Sequence, residues 1–121
     1  MDIETLRTYC LHIPGAEEGQ PFGPDFLVYK IMGSMFAMFW LDSPDRVFLK
    51  CDPDRALDLR DRYRAVEPAW HMNKKYWNQV WFDRDLPDDV VLRLVRHSVA
   101  EVVAHWSKKK QAQYAQLTNA R

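Results

Sequence analysis

The chain has 121 residues, with 17 Lys plus Arg against 17 Asp plus Glu, and apolar and charged shares of 47% and 28%. That is enough chain for one hydrophobic core in an ordinary globular mix, which excludes intrinsic disorder. The formal net charge of zero also excludes a global positive field; nucleic-acid binding would need a local basic patch, because phosphate affinity scales with the cations set against it.

Asp2 is placed to cap a first helix, along which Ile3, Leu6, Cys10 and Ile13 recur at helical spacing until Pro14-Gly15 ends it. Residues 17–25 are turn-rich, with Gly19, Pro21, Gly23 and Pro24. Residues 26–32 predict a strand rich in aromatic and β-branched side chains, Gly33-Ser34 a tight two-residue turn, and residues 35–41 the second arm of a hairpin. That second arm is the longest unbroken apolar run, far short of a membrane span. Asp42-Ser43-Pro44-Asp45 turns the chain into a third strand, 46–51, with Val47, Leu49 and Cys51 on one face and Phe48 and Lys50 on the other.

Asp52-Pro53 is a helix start, a capping Asp followed by Pro at the first helical position, and Ala56, Leu57, Leu59 and Tyr63 supply the apolar side. Residues 66–71 read as a short strand whose Pro68 marks an edge or a bend, and 76–82 as the next strand. Asp83-Arg84-Asp85 turns, and Pro87 opens a long helix with Asp88 and Asp89 in its first turn, where carboxylates suit the helix dipole. Val91, Val95, Val102 and Trp106 form its apolar stripe. The Ser-Lys-Lys-Lys run and polar tail that follow read as a fraying helix end, so that residues 1–107 form a single domain and 108–121 a polar C-terminal extension. The order α-β-β-β-α-β-β-α predicts a two-layer α+β domain: an antiparallel sheet of about five strands with helices on one face.

The stretch WHMNKKYWN, residues 70–78, concentrates candidate site residues. A straight strand would split Lys74 and Lys75 between its two sides. A turn at Asn73-Lys74, where Asn tolerates left-handed geometry, makes 66–82 a hairpin with both lysines at its tip. His71, Asn73, Lys74 and Lys75 then suit phosphates or groove edges, with Trp70 and Trp77 stacking on a base or bracing the tip. The plain alternative is a solvated loop over a Trp-rich core. Lys30 and Lys50, each among apolar neighbours in a strand, belong on an exposed sheet face or snorkel past aromatics. His97, Glu101 and His105 carry ligand chemistry, but His97 and His105 are about 12 Å apart along a helix, too far to share one ion, so no metal is expected. Cys51 with His71 is the one nucleophile-and-base pairing to consider; nucleophile elbow, phosphate loop and glycine cradle are all missing, and neither catalysis nor a cofactor is expected. Lys108, Lys109 and Lys110 suit a helix C-terminus. Cys10 and Cys51 lack metal-type spacing and read as buried thiols in a reducing compartment. Asp2, Glu4 and Arg7 in the first ten residues are unlike a secretory leader, so a cytoplasmic location and no membrane partner are expected.

The segments YCLHIPGAEEGQPFGPD (9–25), FAMFWLDSPDRVFLKCDPDRALDLRDRY (36–63), HMNKKYWNQVWFD (71–83) and LPDDVVLRLVRHSVAEVV (86–103) resemble the MmcQ/YjbR family over roughly residues 2–107. LKCDP (49–53), and HMNK (71–74) followed by Trp77, are the most specific parts. The resemblance implies a domain similar to frataxin-like (CyaY-like) and secretion-chaperone-like folds. It also implies the DNA-binding role usually given to members, through a double-wing arrangement of hairpins. The residues matching its motif are Lys50, Cys51, Pro53, His71, Asn73, Lys74 and Trp77, and no catalytic residue is carried over. The chain departs from the family by continuing with KKKQAQYAQLTNAR.

The first expectation is therefore a small DNA-binding protein contacting phosphates through Lys50, His71, Asn73, Lys74 and Lys75, with Lys30 and Trp77 beside them. The alternative is a protein-interaction or adaptor module with Trp70, Trp77 and Phe48 as an aromatic patch. Exposed, contiguous rings would favour the adaptor, buried Trp with exposed Lys would favour nucleic acid, and a deep cavity beneath the hairpin would favour a small ligand anchored by His71 and Asn73.

Overall fold

A computed structural model describes residues 1–119. The chain runs α1(Ile3–His12), β1(Ala16–Gly19), β2(Phe26–Ile31), β3(Ser34–Trp40), β4(Arg46–Lys50), α2(Pro53–Arg62), β5(Val66–Pro68), β6(Trp77–Trp81), α3(Asp88–Ala104) and α4(Lys108–Asn119). All strand pairs are antiparallel, in one sheet ordered β1-β2-β3-β4-β6-β5. The class is the expected α+β, with a sixth strand and a fourth helix. Among the described residues, no helix is long and apolar enough to cross a membrane.

The expected caps form. Asp2 Oδ1 accepts from the Thr5 N–H at 2.8 Å, and Asp52 Oδ2 from the Arg55 N–H at 3.1 Å, each filling a donor the first helical turn leaves open. Leu6 and Cys10 of α1, Ala56 and Leu59 of α2, and Val91, Leu94, Val95 and Val102 of α3 are buried together against Leu27, Tyr29, Ile31, Phe36, Phe39, Val47, Leu49 and Val80 of the sheet. Burial in this core pushes the Cys10 thiol up to about 12 and the Cys51 thiol up to about 11, as expected of inert thiols.

β1 emerges from the turn-rich segment because tertiary contacts hold it. Glu18 takes a two-pronged contact from Arg7 of α1, at 2.9 and 2.7 Å, and a hydrogen bond from the Tyr29 hydroxyl of β2 at 3.0 Å. The Arg7 bonds outweigh partial burial and hold the Glu18 carboxyl below its ordinary range.

The first hairpin turns one residue earlier than expected. Ile31 pairs with Ser34, so Met32 and Gly33 are the central residues, at φ 44° and 84°. Positive φ at both is what a twist-compatible two-residue hairpin requires, and here Met32 accepts a conformation usually left to Asn or Gly. The β2–β3 register then slips, Tyr29 facing Ala37 and Lys30 facing Met35, which leaves Phe36 as a bulge. Ser98 of α3, fully buried, repairs the ladder beside it: its hydroxyl donates to the Phe36 carbonyl at 2.6 Å and accepts from the Lys50 N–H at 2.9 Å.

The segment after α3 is not a fraying end. Ser107 Oγ accepts from the Lys110 N–H at 3.2 Å and starts α4. Gln111 reaches back to the carbonyls of Val103 and Trp106 at 3.0 and 3.2 Å, closing the end of α3. The Tyr114 hydroxyl donates to the Pro14 carbonyl at 2.6 Å, and Leu117 packs over Gly15, where an added Cβ would lie 2.9 Å from its Cδ2. Lys108, Lys109 and Lys110 thus open α4 rather than close α3. The last two residues of the expected extension, 120 and 121, lie outside the described residues.

Candidate ligand cleft

The face of the sheet turned away from the helices is also apolar. Strand alternation gives it Phe26, Val28 and Lys30 from β2, Met35, Met38 and Trp40 from β3, Arg46, Phe48 and Lys50 from β4, and Trp77, Gln79 and Trp81 from β6. Val28, Met38, Phe48 and Ala69 form a second buried cluster, with Phe26, Met35, Trp40, Met72 and Trp77 packed against it.

Among the described residues a loop, and not a helix, covers this face. After Pro68 at the sheet edge, residues 69–76 fold back over it. Trp70 lies parallel to Trp40, ring centroids 4.8 Å apart at 16°, and Trp40 is stacked in turn with Phe26 at 6.1 Å and 17°. The His71 ring meets Trp70 edge-on at 3.9 Å. His71 holds φ 59°, a left-handed conformation costing roughly 1–2 kcal/mol in an L-residue.

A polar row beneath fixes this strap. Gln79 Oε1 accepts from the Trp70 N–H at 3.1 Å and from Arg46 Nη1 at 3.0 Å, while Gln79 Nε2 donates to Glu67 at 3.1 Å and the Trp81 indole N–H also donates to Glu67. Burial alone would raise the Glu67 carboxyl, but these bonds, with Arg84 and Arg46 nearby, keep it below its ordinary range. Arg46 is buried, which draws its pKa down, and its guanidinium lies 4.8–5.8 Å from the ring centroids of Trp81, Trp40, Phe48 and Trp70.

Between the strap and the β1–β2 loop lies a cleft of about 560 Å³. Phe26, Met35, Met38, Trp40 and Phe48 form its floor; Trp70, His71, Met72 and Asn73 form one wall, Phe22 and Asp25 the other, and Asp42 completes the lining. Phe22 and Trp70 are 61% and 44% exposed, so two large rings stand open to solvent where a purely structural site would hide them. The volume and the mainly apolar lining with a few polar groups are those of a small-molecule site. Among the described residues no three His, Cys, Asp or Glu side chains are grouped to hold a metal. His97 Nε2 instead accepts from the Asp52 N–H at 3.2 Å and lies 3.8 Å from Glu101, and His105 bonds the Glu101 carbonyl at 2.7 Å.

The expected site residues therefore divide. His71 and Asn73 line the cleft. Asn73 does make the turn, with its side chain accepting from the Lys75 N–H at 3.0 Å and its carbonyl from the N–H groups of Tyr76 and Trp77 at 3.2 and 3.0 Å. The left-handed residue, however, is His71; the Asx turn at Asn73 needs no positive φ there. The tip is a longer loop than a tight hairpin, and it leans toward the helices: Arg60 of α2 bonds the Lys74 carbonyl, and the Tyr76 ring meets His105 at 6.4 Å. Lys74 and Lys75 are exposed, with the Lys75 ammonium 5.4 Å from the Tyr76 ring. Half-buried Lys50 pairs in register with Trp77, also half-buried, and Lys30 pairs with Met35 on the same face. Among the described residues none of these four lysines has a carboxylate partner. Of the expected adaptor patch, Trp70 and Phe48 reach the cleft and Trp77 packs at its back.

Residue-type reasoning did not find Phe22, Asp25, Phe26, Met35, Met38, Trp40, Asp42 or Met72. A signal for them exists: the run 35–41 is apolar at every position in an antiparallel hairpin, so both faces of β3 are apolar, where a sheet solvated on one side alternates with polar residues.

A YjbR family model matches residues 11–99. The Escherichia coli (strain K12) protein YjbR, described as uncharacterised, is 32% identical over 118 residues, covering 97% of this chain and all of its own. YbdF of Escherichia coli O157:H7, described likewise, is 33% identical over 109 residues, covering 89% of each chain. Among solved structures, Deinococcus radiodurans protein DR2400, with a DUF419 domain, superposes at TM-score 0.86 with 29% identity, covering 94% of this chain and 88% of its own. A Pseudomonas syringae protein superposes at 0.73 with 20% identity over 84% and 99%, a likeness of fold.

Proposed function

The chain belongs to the YjbR family, and from that premise we propose that it is a binding protein whose cleft takes a ligand with an apolar, ring-bearing body. The observation that carries this reading is the cleft itself, about 560 Å³ between two loops, with exposed Phe22 and Trp70 at its mouth. Its floor is rigid sheet and one wall is a strap fixed through Gln79, so little ordering is left for the ligand to drive. Titration with the neutral fluorophore N-phenylnaphthylamine tests it. We expect saturable one-to-one binding, weakened about tenfold or more by Trp70→Ala, which removes a stacking surface, and less by Phe22→Ala. Non-saturable binding, or binding indifferent to Trp70, would overturn the reading.

A second reading, contact with DNA phosphates, is favoured by Lys30, Lys50, Lys74 and Lys75, which have no carboxylate partner among the described residues of a chain of balanced charge. Two or three phosphate contacts give a log–log salt slope of about −2 to −3, and Lys74→Ala with Lys75→Ala reduces it by about 2. Anisotropy at low salt reads both; absence of binding, or a slope the double variant leaves unchanged, removes this reading.

A further inference from the structure

We infer that the ligand of the cleft is an organic cation: an ammonium or quaternary ammonium group carried on an apolar body. This deepens the ligand-binding reading and rests on it. The only formally charged side chains lining the cleft among the described residues are two carboxylates, Asp25 and Asp42. The Leu41 N–H donates to the Asp25 carbonyl at 2.8 Å, continuing the Phe26–Trp40 register, so both acids border the same stacked ring pair at one end of the cleft. Both are exposed, and neither side chain has a hydrogen-bond or ion-pair partner among the described residues.

Phe26, Trp40 and Trp70 line the same cleft as these acids, and the faces of such rings attract a cation. The same cluster already holds one: Arg46 lies 5.0 Å from the Trp40 centroid and 5.8 Å from that of Trp70. Arg46 is buried within the protein and bonded to Gln79, and the two lining carboxylates outnumber its single charge. An anion would meet Asp25 and Asp42 unneutralised, whereas a cation gains from both and from the rings. Lys30 and Lys50 belong to the opposite end of the face, beside Met35 and Trp77, and neither lines the cleft.

Three probes with one body separate charge from cavity: phenylhexyl-trimethylammonium, phenylhexanol and phenylhexyl sulfonate, titrated calorimetrically at low salt. The ammonium probe is expected to bind about tenfold tighter than the alcohol, with the sulfonate weakest. In Asp25→Asn with Asp42→Asn, checked for an unchanged circular dichroism spectrum, the ammonium-to-alcohol ratio is expected to fall below about twofold. Equal binding of ammonium and alcohol, or a preference for the sulfonate, overturns the cation inference and leaves the cleft reading standing. A preference that survives the double variant overturns the assignment of the cation to Asp25 and Asp42. If none of the three binds, both fall.

Discussion

Phe39 and Phe48 stand on adjacent strands of one sheet, both buried, and point to opposite faces. Phe39 meets Tyr29 at 5.7 Å and Phe82 at 6.5 Å in the core beneath the helices, with α1, α2 and α3 closing over it. Phe48 lies under Arg46 and the strap on the other face and lines an open cleft. Both faces bury large apolar side chains; what differs most is the cover. Helices bring whole apolar stripes and fill the space, whereas an eight-residue loop fixed by Trp70 and Gln79 spans the sheet and leaves room beneath. Apolar surface on the first face serves stability. On the second it is held in shape and left unfilled, which is how a binding surface is built.

The largest effect should come from deleting the same side chain on each face. Phe39→Ala leaves a closed void and is expected to cost about 3–5 kcal/mol, the transfer and cavity contributions together. Phe48→Ala merges its hole with the cleft and is expected to cost about 2 kcal/mol, the transfer contribution alone. Urea unfolding measures both, and equal costs would break the distinction between the faces.

A smaller effect comes from His97, at the α2–α3 contact on the helix side. Burial first, and Arg55 second, hold its pKa below the ordinary 6.5, against the opposing pull of Glu101 and Asp52. The unfolded chain therefore binds the proton more readily than the folded one. Stability from this group is full above about pH 6.5 and is lost as pH falls from there toward the depressed folded value. The melting temperature should slope downward across that window, and His97→Gln, which keeps an acceptor for the Asp52 N–H, should flatten the slope. The ligand affinity of the cleft should not follow His97, since it belongs to the other face.

Much of the helix side is legible in the chain. Asp2, Asp52-Pro53 and Pro87 announce their helices through local hydrogen-bonding and dipole chemistry, and the stripes of α1 and α3 point to the core. What is not legible depends on distant partners. β1 carries Glu17 and Glu18 in place of an apolar pattern and exists because Arg7 and Tyr29 claim Glu18. α4 has a cap in Ser107, but its place is decided by Tyr114 reaching Pro14 and by the space over Gly15. The turn at Met32-Gly33 needed a left-handed Met, which residue preference argues against. For the site, residue types pointed to His71 and Asn73 but equally to Lys74 and Lys75, because polarity marks a loop without saying what lies under it. The floor was hidden in plain hydrophobicity: the residue types of Met35, Met38 and Trp40 do not distinguish the lining of an open cleft from core.

The central claim is that the open face, and not the helix-covered one, receives a ligand. Amide chemical-shift mapping with phenylhexanol tests it most directly. The account predicts saturable shifts gathered on Phe22, Asp25, Trp40 and residues 70–73, with Leu6, Leu59 and Val95 on the core side of the helices unmoved. Shifts centred on the helix face, scattered over the surface, or absent at saturating probe would contradict it.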